Sequence, residues 1–262
     1  DICYEGIGVS LPGRIDLASQ RLVFAPNLAW NGVDLKGPLE EATNLPVALE
    51  NAANACALAE LWFGEHIESV RNLIAVTVSE GIGGGVILNG QLVQGSTGVA
   101  GEFGHMTLIE EGLPCRCGNH GCWEMYASNS AATRYYAEAT SRNRRRDSMA
   151  TAERQIPTFE DIVRLADQGD ARALAAIDRQ AHYIGAGAAL LVTGLAPDVI
   201  VIVGEVTRFW SRIGPAIERM VEQRSFTQAT TRILPTDAAS QPRLRGTIAL
   251  VLQKHFGAPA LM

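Results

Sequence analysis

Short unbroken apolar runs alternate along this chain with longer stretches in which apolar residues recur every three or four positions. That alternation predicts strands and helices in turn. Ile2 to Val9 reads as a strand interrupted by Gly6 and Gly8, followed by a turn from Leu11 to Asp16 through Pro12-Gly13. A chain that opens inside a strand pattern reads as a fragment. Pro26-Asn27-Leu28 reads as a loop, Leu35 to Thr43 as a short helix and Pro46 to Glu50 as a buried strand. Asn51 to Phe63 reads as a helix, because Asn is a favoured helix opener and Ala and Leu follow it.

A second unit begins near Asn72. Leu73 to Val78 reads as an apolar run, a glycine turn follows, and Val86-Ile87-Leu88 joins Gln91-Leu92-Val93 across Asn89-Gly90, a hairpin signal. The region from Gly95 to Cys122 reads as loop. Helices are expected over 129–140, 159–168, 170–195, 209–223 and 246–256, with a buried strand at Val199 to Val203. Strands alternating with helices indicate an α/β fold in two lobes, without solenoid repeats.

Composition narrows the function classes. Of 262 residues, 47% are hydrophobic and 19% charged, which predicts a sizeable core and excludes a disordered chain. The formal net charge of −6 repels phosphate backbones unless a basic patch is concentrated somewhere. The dense basic run, Arg142, Arg144, Arg145 and Arg146, reads as a solvated loop. These residues are therefore not expected to hold DNA. Ile184 to Leu195 is too short to span a bilayer and reads as a core helix, and no secretory signal is evident.

Five cysteines occur, an odd number, with three of them clustered, which favours a metal over disulfides and a reducing, cytoplasmic setting. Cys115, Cys117 and Cys122 lie within eight positions, bent back by Gly118 and Gly121, and His105 lies ten residues upstream. Three thiolates and one imidazole close a tetrahedral set that favours zinc and leaves no open position for water, so the expected role is structural. On spacing alone, His120 competes for the fourth position.

Gly101-Glu102-Phe103-Gly104-His105, followed by Cys115-x-Cys117-Gly-x-x-Gly-Cys122-x-Glu124, resembles the signature of the ROK (repressor, open reading frame, kinase) family. Gly81-Ile82-Gly83-Gly84-Gly85-Val86 resembles the family's glycine-rich segment. Gly6-Ile7-Gly8-Val9-Ser10-Leu11-Pro12-Gly13 resembles its first strand and turn, and Glu50-Asn51-x-Ala53-Asn54-Ala55 its ENDANA motif. The resemblance implies an actin-like ATPase (ribonuclease H-like) fold of two α/β lobes with a zinc loop. It divides the chain into residues 1–71, the remainder of the small N-terminal lobe joined by the C-terminal helix 246–262, and a large lobe over 72–245. It also implies sugar contacts from Asn51, Glu102, His105 and Glu124, with Asn27 lining the same cleft, and a dimer or higher homo-oligomer. Without that pattern, Glu102 and Glu124 would read as solvated loop charges and Asn27 as a turn residue.

The pattern breaks where phosphoryl transfer would be carried out. The kinases of the family have aspartate as base after the first Asn of ENDANA; here that position is Ala52. A methyl cannot act as a base, and general base catalysis is typically worth about 10²–10⁴ in rate. The phosphate turn carries Ser79-Glu80-Gly81, and the adenosine side Gly204-Glu205-Val206, so acids stand in what reads as a degenerate nucleotide site of Glu80, Gly81, Gly83, Gly204 and Glu205. The resemblance thus implies the repressor branch: a sugar or sugar-phosphate sensor that reaches DNA only through a winged helix–turn–helix outside these residues. An ATP-dependent sugar kinase is the alternative.

Overall fold

The computed structural model describes residues 3–25, 28–64, 70–144, 157–226 and 230–257. Strand β1 (Ile7–Leu11) turns at Pro12-Gly13 into a small antiparallel sheet of β2 (Arg14–Ile15), β3 (Leu22–Ala25) and β4 (Trp30–Val33). After helix α1 (Lys36–Thr43), strand β5 (Val47–Asn51) pairs in parallel with β1, placing Ser10 opposite Glu50 and Leu11 opposite Asn51. Helix α2 (Ala52–Phe63) leaves β5 with no intervening loop. Asn51 ends the strand and caps the helix, its side chain accepting from the Ala53 N–H at 2.8 Å.

The largest sheet contains β6 (Leu73–Val78), β7 (Ile82–Leu88), β8 (Gln91–Leu92), β9 (Val199–Val203) and β10 (Arg232–Pro235) in the order β10-β9-β6-β7-β8. Between β8 and β9 the chain forms a short 3-10 helix at Phe103–His105, then α3 (Glu124–Ala127), α4 (Asn129–Arg144), α5 (Phe159–Asp167) and α6 (Ala171–Leu195). Helices α7 (Trp210–Arg224) and α8 (Pro242–Phe256) follow β9 and β10 respectively.

Every residue of β6 and β9 is buried, because helices cover both faces of this sheet. Side chains alternate between the faces. Ile74, Val76, Ile200 and Ile202 pack with Ile162 of α5, Ile177 and Ile184 of α6 and Ile213 and Ile217 of α7. Leu73, Ala75, Val199 and Val201 pack instead with Cys56, Leu58 and Leu61 of α2 and Ala249 and Leu250 of α8. Each fully buried Leu or Ile contributes about 1.5–3 kcal/mol of transfer free energy, so these two layers dominate the stability. The buried stretch of α6 also bears out the reading of Ile184 to Leu195 as a core helix. Among the described residues, no helix is long and apolar enough to cross a membrane.

Several elements differ from the sequence expectation. The glycine turn expected before Val86 is confined to residues 79–81: β7 starts at Ile82 and carries Gly83, Gly84 and Gly85 within it. A Cβ on Gly84 would stand 2.7 Å from the Gly101 carbonyl oxygen, so glycine here serves close approach rather than turning. Helix α4 runs on past Thr140 to Arg144, so Arg142 and Arg144 end a helix rather than sit in a loop; Arg145 and Arg146 lie outside the described residues. Helix α8 starts four residues earlier than expected, with Pro242 in its first turn, where its missing N–H costs nothing. Strands β2, β3, β4 and β10 are additions to the expected set; β2 falls within the stretch from Leu11 to Asp16 read as a turn, because Arg14 and Ile15 pair with β3.

Candidate functional site

The stretch from Gly95 to Cys122 is mostly loop, and its own backbone holds it together. Thr107 bridges to Cys122 and Pro114 to His120, in antiparallel pairs. The Gly121 carbonyl accepts from the Leu108 N–H at 2.8 Å, and the Gly121 N–H donates to the Leu113 carbonyl at 2.8 Å. Gly121 has φ +71°, and a side chain there would run into the Ile109 carbonyl, so only glycine closes this turn. The Trp123 N–H donates to the Met106 carbonyl at 2.9 Å. Its indole is 1% exposed and donates to the Tyr183 carbonyl at 2.7 Å, pinning the end of the loop to α6.

This folding gathers His105, Cys115, Cys117 and Cys122, whose ligand atoms all lie within 4.8 Å of one another. The set can hold a metal ion. The Cys117 and Cys122 sulfurs are 3.6 Å apart, and the Cys115 sulfur is 3.7 Å from His105 Nδ1. A tetrahedral ion with bonds of about 2.0–2.3 Å spaces its ligand atoms by roughly 3.3–3.8 Å, so these pairs already stand at coordination spacing. His105, not His120, completes the set; His120 is exposed. Cys3 and Cys56 take no part: Cys3 is exposed, and Cys56 is buried in α2.

Two carboxylates flank the imidazole. Glu102 Oε2 lies 3.9 Å from His105 Nε2, while Glu124 Oε1 lies 3.7 Å from Nδ1 and 3.2 Å from the Cys115 sulfur. Partial burial raises the Glu102 carboxyl above its ordinary range; His105 opposes the rise and Glu124 adds to it. The Glu102 side chain is still 47% exposed, so solvent screens the effect. Burial is likewise the first cause that pushes the Cys115 and Cys122 thiols up. A bound cation reverses that preference by stabilising thiolate.

Glu102, His105 and Glu124 therefore form one cluster with the thiols. Asn51 belongs to a second set of contacts, since its amide also donates to the Gly13 carbonyl at 2.7 Å. Ala52 is the first residue of α2 and is half-buried. Asn27 lies outside the described residues. Of the residues read as a degenerate nucleotide site, Glu80 is exposed and accepts from the Ser130 hydroxyl at 2.7 Å, in the first turn of α4. Gly81 is close enough to Glu124 that a Cβ there would stand 2.7 Å from Oε2. Gly83 lies within β7, and Gly204, with φ +143°, leads from β9 into Glu205. The sequence reading gives no role to Gln94 or Ser130, and none to Glu50 beyond its place in the ENDANA match. The signal for Glu50 was an acid ending an otherwise apolar strand, which needs donors once buried.

The model of the ROK family matches residues 2–254. The chain belongs to the ROK family. A glucokinase of Halalkalibacterium halodurans is 36% identical over 230 residues, covering 87% of this chain and 68% of the relative. The xylose repressor of Bacillus subtilis is 34% identical over 253 residues, covering 96% of this chain and 62% of the repressor. The chain thus spans only 62–68% of the length of these two ROK proteins. Among solved structures, a ROK glucokinase from Streptomyces griseus with glucose and AMPPNP superimposes with a TM-score of 0.83 at 29% identity, covering 96% of this chain and 82% of that one. A ROK transcriptional regulator homologous to the Escherichia coli MLC protein gives 0.80 at 29% identity, covering 95% and 62%. The fold is the actin-like ATPase fold of ROK sugar kinases, and the family holds both repressors and glucokinases.

Proposed function

We propose that this chain is the sugar-sensing effector part of a cytoplasmic ROK transcriptional regulator. In this reading a sugar or sugar phosphate binds in a cleft between a small lobe (1–71 with 246–262) and a large lobe (72–245). Asn51, Glu102, His105 and Glu124 meet its hydroxyls, which both donate and accept hydrogen bonds, as carboxylates, an amide and an imidazole require; Asn27 joins them on family resemblance. Zinc is held by His105, Cys115, Cys117 and Cys122 as a structural ion. The binding fixes the direction and tautomer of the imidazole, leaving Nε2 for the ligand. The ligand favours one lobe arrangement over another by its differential affinity, and a homo-oligomer transmits the change to a winged helix–turn–helix outside these residues.

The observation that carries the reading is Ala52. A methyl group starts α2 directly after Asn51, so the side chain there cannot take a proton from a sugar hydroxyl. Glu80 adds support, since its carboxylate already accepts from Ser130 at the start of α4, where a phosphate would meet a negative charge. The second reading, an ATP-dependent sugar kinase, is favoured by the 36% identity to a glucokinase. A coupled ADP-release assay with glucose, xylose and magnesium, run beside calorimetry with the same sugars, separates the two. Binding without turnover is expected; sugar-dependent ADP release would overturn the sensor reading.

A further inference from the structure

Glu50 is 6% exposed and is the penultimate residue of strand β5, next to the α2 cap Asn51. Its Oε1 accepts from the Asn51 N–H at 2.8 Å and from Asn54 Nδ2 at 2.9 Å. Its Oε2 accepts from Gln94 Nε2 at 2.7 Å, a contact spanning 44 residues of sequence. Gln94 stands at the neck of the next loop, where its carbonyl accepts from the Ala100 N–H at 3.2 Å. That loop runs directly into Glu102 and His105. One carboxylate therefore ties the junction bearing Asn51 to the loop bearing the metal-side acids. Hydrogen bonds to an ionised acceptor are about twice as strong as neutral ones, and burial keeps water from competing for this one.

We propose that Glu50 is a positioning residue that, through Gln94, sets the Glu102–His105 loop against the Asn51 junction so that both halves of the sugar site share one frame. The proposal rests on the sugar-binding reading above. The contact has a polarity that can be inverted. In Gln94→Glu two carboxylates face each other and repel. In Glu50→Gln with Gln94→Glu, the new amide donates to the new carboxylate and the tie is rebuilt in reverse. Glu50→Gln alone keeps a bond, because the Gln94 amide can turn over to accept.

The test uses the zinc-loaded 262-residue chain at pH 8, with glucose and xylose as calorimetric probes and amide hydrogen exchange over 95–105 without sugar. Gln94→Glu is expected to raise exchange in that loop and weaken sugar affinity about tenfold. The double variant is expected to recover both to within about threefold. Glu50→Gln, which keeps a bond but a neutral one, should fall between Gln94→Glu and the parent in both readouts. Unchanged exchange in Gln94→Glu overturns the positioning role, as does raised exchange with unchanged affinity. A double variant that is folded by circular dichroism yet not rescued overturns it too. If the parent chain binds neither sugar, the sugar-binding reading fails and takes this role with it, whereas the exchange cycle still reports whether the tie itself holds the loop.

Discussion

The imidazole Nδ1 of His105 lies 3.7 Å from the sulfur of Cys115, while its Nε2 faces the other way, toward Glu102. One ring thus stands between a metal-competent thiol set and an open carboxylate. The loop that carries the thiols has few buried apolar side chains, so a metal is expected to supply much of its order. Purified chain should contain about one zinc per chain by mass spectrometry of the metal content. Cys122→Ser, at a buried position, should lose that zinc, and Cys117→Ser should weaken zinc and sugar binding together. Full sugar affinity in zinc-free protein would separate the two sites and defeat the coupling.

The end of the same loop is anchored by packing. Trp123 is 1% exposed, and a Cβ on Gly187 of α6 would collide with its indole ring. Replacing a helical glycine by alanine normally gains about 1 kcal/mol of helix stability. Overpacking a close-packed core costs about 1–3 kcal/mol, and here an indole held by the Tyr183 carbonyl would have to move. The clash should win. Gly187→Ala is expected to lower the thermal midpoint and to raise zinc exchange, read by a chromogenic chelator; a raised midpoint would show that the indole has room to shift.

Residues differ in how far the sequence around them marks their place in the fold. Leu73 to Val78 and Val199 to Val203 are legible because strands buried on both faces are nearly continuous apolar runs, broken here only by Thr77. The thiol cluster was legible because its ligands are close in sequence. The sheet β2-β3-β4 was not: its strands are two to four residues long, and Val23 and Phe24 face outward, so no alternation marks them. Gly83 to Gly85 looked like a turn because glycine's use in close approach has no local signature. The choice of His105 over His120, and the reach of Gln94 to Glu50, are set by tertiary folding and cannot be extracted from spacing.

Acid stability should depend on Asp170. Its carboxylate caps the 25-residue helix α6, accepting from the Arg172 and Ala173 N–H groups at 2.9 and 3.0 Å. The Arg172 guanidinium hydrogen bond comes first, with the Ala173 N–H after it, in holding the carboxyl below its ordinary range. Because the folded value is depressed, the contribution is fully present above the unfolded carboxylate value of about 4 and is lost as pH falls through the folded value. Asp170→Asn keeps a capping oxygen without the charge. Its destabilisation relative to the parent should therefore be larger at pH 6 than at pH 3 in urea titrations; a difference independent of pH would remove the carboxylate from the account.

Asn51 carries two separable jobs. Its oxygen caps α2 by accepting from the Ala53 N–H at 2.8 Å, and its amide donates to the Gly13 carbonyl at 2.7 Å, joining the helix to the turn after β1. Asn51→Ala removes both, and loss of an N-cap alone costs about 0.5–2 kcal/mol. Asn51→Asp keeps an acceptor for the helix, and its charge suits the helix N-terminus. It has no N–H for Gly13, however, and sets a carboxylate against that carbonyl. Thermal midpoints should therefore fall in the order parent, Asn51→Asp, Asn51→Ala. Sugar affinity should fall in both variants if the amide also donates to a ligand hydroxyl. An Asn51→Asp variant that binds glucose or xylose as tightly as the parent would confine Asn51 to its structural role and leave Glu102, His105 and Glu124 to hold the sugar.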